Sequence, residues 1–102
     1  MASITILYPS GHQFDVKYYM QTHMPLVSAS WGGAGLKSWE ITQFAPDQQY
    51  QIQAILEFES MAAWEAASTG ESAVAVFGDI PNFTAAKPVV VKGAHLGSEK
   101  LA

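Results

Sequence analysis

Asp15, Tyr19 and His23 are spaced four residues apart, which stacks a carboxylate, a phenol and an imidazole on roughly one face of a helix. A phenol and an imidazole placed this way can converge on one substrate. An oriented, neutral His23 is suited to take a proton from a phenol or an acidic C–H, with Tyr19 as hydrogen-bond donor. General acid–base action of this kind supplies about 10²–10⁴-fold, enough for an activated aromatic or polyketide-like substrate but not for an inert ether C–O bond. Pro25 adds a local device. It leaves the Gln21 carbonyl without its usual donor and disfavours α geometry at Met24, so the helix should bend or restart near His23. At such a break the imidazole can bond a freed carbonyl, which would fix its tautomer. The competing reading makes His23 a structural cap at that break.

Other side chains could line the same pocket. Tyr18 and Tyr19 diverge by about 100° on a helix, so one lines the pocket and Tyr19 is the better partner for His23; both also suit a core edge with a wet hydroxyl. Tyr8, ending the first strand, and Trp39, on the second, are candidates for the pocket mouth or for ordinary core. Asp79, Asn82 and Phe83 lie on an irregular loop where polar groups can project into a cavity; Asp79 reads more as a turn-former than as an acid. Phe58, Trp64 and Phe77 read as packing.

Several chemistries drop out. The 102 residues contain no cysteine, so thiolate nucleophiles and cysteine-based metal sites are excluded. His12 and His95 form no recognisable metal set with His23, and no HExxH or facial-triad spacing occurs. Gly32 to Gly35 end a helix and do not open one, so no phosphate cradle or dinucleotide cofactor is expected. A net charge of −4 with five Lys and Arg gives no nucleic-acid footprint. No apolar run approaches a membrane span and no signal peptide is evident, so a cytoplasmic protein without cofactor or metal is expected.

The elements that must position these residues follow from pattern. Ser3–Tyr8 reads as a buried strand, ended by Pro9, Ser10 and Gly11. Asp15 can N-cap a helix from Val16 by accepting from the Tyr18 N–H, with Phe14 and Tyr19 as a hydrophobic staple. Pro25 starts a further turn that the glycines stop. Leu36–Phe44 and Tyr50–Glu59 form a hairpin. Ser60 caps a helix to about Ser68, Glu71–Phe77 forms another, and Pro88–Leu96 is a last strand. One domain over residues 1–102 is expected, its core at about 3–96 and a polar tail at 97–102. The order β-α-β-β-α-β is that of an α+β, ferredoxin-like fold with both helices on one face of a four-stranded antiparallel sheet. Ile55 with Val90 or Val91 on the other face favours cover by a second copy.

The stretch FDVKYYMQTHMPLV, the Gly-rich turn after it, AILEFESMAAWEAA and DIPNFTAAKPVV together resemble the EthD family of dimeric α/β-barrel proteins over roughly residues 4 to 92. The resemblance implies a sheet-to-sheet homodimer with a pocket in each subunit between sheet and helices, covered by the DIPNFT loop. EthD is associated with bacterial degradation of alkyl tert-butyl ethers beside a cytochrome P450 system, and the superfamily includes cofactor-free monooxygenases, polyketide cyclases, dehydratases, decarboxylating isomerases and haem-binding proteins. The resulting expectation is a cofactor-free enzyme acting on a small hydrophobic or aromatic molecule, with His23 as general base. A non-catalytic binding or accessory protein in a catabolic pathway is the alternative, and haem binding would need an axial ligand on another element.

Overall fold

In the computed structural model, which describes residues 1–102, β1 (Ala2–Pro9) alternates between buried and half-buried side chains, with Ala2, Ile4, Ile6 and Tyr8 turned inward. β2 (Leu36–Gln43) and β3 (Tyr50–Phe58) form the hairpin, and β4 (Val89–Ala94) returns along the free edge of β1. All pairings are antiparallel and the order is β2-β3-β1-β4. This is the sheet of a ferredoxin-like fold.

β2 needs a correction of phase to fit. Strict alternation from Leu36 would send Trp39 and Ile41 to the outer face. The register shifts between Leu36 and Ser38, so that Trp39 pairs with Leu56 and Ile41 with Ala54, residues that are themselves buried. This bulge turns the rest of the strand inward. Nearby, Gly35 adopts φ 109°, and a Cβ there would meet Ala63 Cβ at 2.8 Å, so only glycine brings β2 this close to the second helical layer.

The first helical layer runs from α1 (Val16–Tyr18) through Tyr19–His23 into α2 (Met24–Trp31). Asp15 caps it, its Oδ1 accepting from the Tyr18 N–H at 3.0 Å, and the Phe14 ring lies 5.0 Å from Tyr19 as a staple. The expected break at Pro25 does not occur. His23 and Met24 keep helical dihedrals, and residues 19–23 form a π turn in which the Met24 N–H bonds the Tyr19 carbonyl, five residues back. The widened turn accommodates the proline within one continuous rod. It also sets the phase of the buried stripe. Tyr19, His23, Val27 and Trp31 are all buried, whereas a four-residue spacing in a plain α-helix drifts by about 40° per step, ~120° over three. One extra residue in the turn takes back about 100° of that.

The second layer is α3 (Met61–Thr69), capped by Ser60 accepting from the Ala63 N–H, and α4 (Glu71–Gly78). A 3₁₀ turn at Ile80–Asn82 leads to a single bridge between Thr84 and Phe14, which ties the loop to the start of α1. The core lies between sheet and helices around Trp31, Phe58 and Trp64. The outer sheet face carries Thr5, Leu7, Ile55 and Val91, and no element of the chain covers it.

Candidate functional site

His23 is brought to the sheet side of the first rod by the π turn, and Asp79 is brought opposite it by the end of α4. His23 Nδ1 lies 2.9 Å from Asp79 Oδ2. The other carboxylate oxygen accepts from the Tyr18 hydroxyl at 2.6 Å and from Asn82 Nδ2 at 2.9 Å. An ionised carboxylate only accepts, so Nδ1 carries the imidazole proton and Nε2 presents its lone pair. Nothing in the protein bonds Nε2. Tyr19 stacks on the imidazole at 5.4 Å and 16°, and the Phe83 ring sits 4.6 Å away and 5.0 Å from Tyr19, so two adjoining aromatic rings pack against the imidazole that Asp79 holds by its proton.

The electrostatics agree with that assignment. Burial pushes the His23 pKa below its ordinary value, and Asp79 only partly offsets this. The imidazole is therefore neutral at neutral pH. Burial alone would raise the Asp79 carboxyl, but the hydrogen bonds from Tyr18, Asn82 and His23 outweigh it and hold the group below the usual carboxylate range. The same bond to Asp79, followed by burial, raises the Tyr18 phenol.

Both the His23 and the Asp79 shifts make folding stability fall with acid. As pH drops below about 6.5, the unfolded chain protonates its histidine before the folded protein does, and the loss continues down to the lower folded value. Asp79 adds a second loss as pH falls from about 3.8 through its own depressed value. Melting temperature is expected to be flat above pH 7 and to decline from about pH 6.5 downward. Calorimetry across pH checks this, and a constant value down to pH 4 would refute it.

Beside His23 a small, mainly apolar cavity of about 20 Å³, partly open to solvent, lies between sheet and helices, lined by Tyr8, Tyr19, Met24, Trp31 and Leu56 among others. That is room for about one water molecule. Phe77, Ile80 and Pro88 also line it and are half-exposed, so they form its wall toward solvent. A second, open and more polar depression of about 780 Å³ lies on the far side of the DIPNFT segment, lined by His12, Asp15, Asn82 and Phe83 among others.

The residues singled out in the sequence thus separate into groups. Tyr8, Tyr19 and His23 line the small apolar cavity; Tyr18, Asp79 and Asn82 form the polar cluster behind the imidazole; Phe83 packs on His23 and opens onto the outer depression. Trp39 is elsewhere, its Nε1 donating to Ser28 Oγ at 2.8 Å at the far end of α2. His12 and His95 are exposed, and no group of three His, Asp or Glu side chains is placed to hold a metal. Asp79 is the residue whose part the sequence understated. Its Asp-Ile-Pro-Asn turn chemistry is real, since Asn82 N–H bonds its carbonyl at 3.0 Å, but the side chain is committed to His23 and Tyr18.

No family model matches the sequence, and no curated protein is similar to it. Solved structures are. An EthD-like protein from Ralstonia eutropha JMP134 superposes with a TM-score of 0.78 at 24% identity, over 90% of this chain and 88% of that one. An ethyl tert-butyl ether degradation (EthD) family protein from Bacillus halodurans C-125 gives 0.75 at 17% identity, over 94% and 99%. HapK from Hahella chejuensis gives 0.70 at 13%, over 100% and 99%. With its strand order and its helical layers on one sheet face, the chain has a ferredoxin-like fold and is similar in structure to these proteins.

Proposed function

We propose that the protein is a small-molecule-binding, cofactor-free enzyme in which neutral His23 acts as general base on a small hydrophobic or aromatic substrate. The observation that carries this is the 2.9 Å bond from His23 Nδ1 to Asp79, which leaves an unshared Nε2 beside an apolar cavity. Asp79, fixed in turn by Tyr18 and Asn82, is a positioning residue: it selects the tautomer and stabilises the imidazolium that forms on proton transfer. Resemblance in fold to EthD-like proteins, and to a structure described as an antibiotic biosynthesis monooxygenase, supports a small-molecule site of this kind. The bare outer sheet face supports a homodimer. Glu57 on that face accepts from Ser3 Oγ with one oxygen, while its Oε2 is buried without a partner, and a second copy can supply the missing donor.

The test is proton exchange into D₂O across a panel of aromatic and polyketide-like C–H acids, followed by NMR. His23→Ala is expected to abolish exchange while the melting transition persists and light scattering still gives twice the chain mass of 11.0 kDa. Exchange that survives the substitution removes His23 from the reaction. The alternative is a non-catalytic carrier or accessory protein, of use in a pathway such as ether degradation, which the mainly apolar lining of the cavity suits as well as it suits an enzyme. On that reading ligands raise the melting temperature, none is turned over, and His23→Gln is tolerated.

A further inference from the structure

The small cavity beside His23 holds more polar capacity than its apolar walls would suggest. Tyr8 is 2% and Tyr19 1% exposed, yet neither hydroxyl has a hydrogen-bond partner in the protein, and both residues line the cavity together with His23. Glu57 Oε2 is the one fully buried side-chain oxygen left without a partner, so both phenol oxygens keep some accessible surface at which a ligand can reach them. The Tyr8 and Tyr19 rings meet edge to face at 6.0 Å, and Tyr19 stacks on His23 at 5.4 Å, so the two phenols and the base form one contiguous set. Burial pushes both phenols well above their ordinary pKa, and ionisation of Tyr8 would raise Tyr19 further, so both stay neutral O–H donors at neutral pH.

We infer that Tyr8 and Tyr19 are a paired donor site for a single ligand oxygen, and that the ligand is a small, largely apolar carbonyl compound whose α C–H faces His23 Nε2. The inference rests on the base assigned to His23 above. In the step, Nε2 takes the α proton, the C–H electron pair becomes a C=C bond, and the carbonyl π pair moves onto oxygen. Two O–H donors then hold the enolate oxygen in a mainly apolar site, whose half-exposed wall of Phe77, Ile80 and Pro88 must give way to admit more than the one water it has room for. Return of the proton from Nε2 to carbon, at the same or a conjugated position, restores the neutral imidazole. No oxidant or metal enters the balance.

A phenolate reproduces an enolate oxygen on a flat apolar body, so 4-nitrophenol is the probe, its ionised form read by visible absorbance. It is titrated against the wild-type protein and against Ile80→Ala, which thins the solvent-side wall of the cavity. Binding of phenolate in preference to phenol is expected, with Tyr8→Phe and Tyr19→Phe each weakening phenolate binding at least tenfold. Neither substitution should lower the melting temperature, because each deletes an oxygen that bonds nothing. A merely structural role for the hydroxyls predicts the reverse: unchanged phenolate affinity and a lower melting temperature. Phenolate bound as tightly by both Phe variants as by wild type overturns the inference, as does failure of both wild type and Ile80→Ala to bind it. Proton exchange separates the two readings. If His23→Ala leaves exchange intact while phenolate binding depends on both tyrosines, the base assignment falls and the donor pair stands; if exchange depends on His23 but phenolate affinity is indifferent to the tyrosines, only the donor pair falls.

Discussion

Asp79→Asn is expected to lower the rate of proton exchange by about 10³–10⁴-fold while leaving the fold intact. The size of the effect comes from the tautomer and not from lost charge alone. Asp79 Oδ1 accepts from both Tyr18 and Asn82, and Oδ2 faces His23 Nδ1. An asparagine must keep its single carbonyl oxygen toward those two donors, which turns its amide N–H₂ to Nδ1. Nδ1 then has to accept, the imidazole proton moves to Nε2, and the atom that should take a proton already holds one. Tyr18→Phe removes one of the supports and is the milder control. Exchange rates by NMR, at matched melting temperature, check the prediction; a loss of less than tenfold for Asp79→Asn would show that the carboxylate does not set the tautomer.

Trp31→Ala is expected to cost about 3–5 kcal/mol of folding stability, against a total of about 5–15 kcal/mol for a domain of this kind. Trp31 has no exposed surface. Its rings meet Phe58 at 5.9 Å, Trp64 at 5.7 Å and Phe77 at 5.9 Å, and its Nε1 donates to Ser72 Oγ at 3.0 Å, which ties α2 to α4. It also lines the small apolar cavity, so the space left by truncation joins an existing void and cannot easily collapse. Urea unfolding with unchanged slope and a lower midpoint is the measurement; a shift worth under 1 kcal/mol would mean the core repacks around the gap.

What could be read from the residues divides along sequence distance. The cap at Asp15, the staple of Phe14 and Tyr19, the Ser60 cap and the individual strands are written in neighbours a few residues apart, and their physics is complete within that span. The partnership of Asp79 is not. Tyr18 and His23 lie 61 and 56 positions away from it, and a turn-forming role explains an Asp before Ile-Pro without them. Trp39 was drawn toward the pocket because alternation says nothing of how far along α2 a strand residue lands; the bulge at the start of β2 then seats it on Ser28. The π turn did leave a trace. Tyr19, His23, Val27 and Trp31 repeat at strict intervals of four, a period longer than an α-helix keeps on one face, but the proline beside them offered a break as the simpler account.

That one additional residue has a bearing on what the chain can tolerate. Without it, the rod would have to choose: seat Val27 and Trp31 in the core and swing Tyr19 away from the imidazole, or keep the aromatic stack and turn the tryptophan toward water. Inserted where it is, it lets the half of the rod that holds the domain together and the half that carries Tyr19 and His23 be aimed separately. Side-chain substitutions there cost only what the side chain did, whereas shortening the chain by a single position between 19 and 23 sets the two demands against each other.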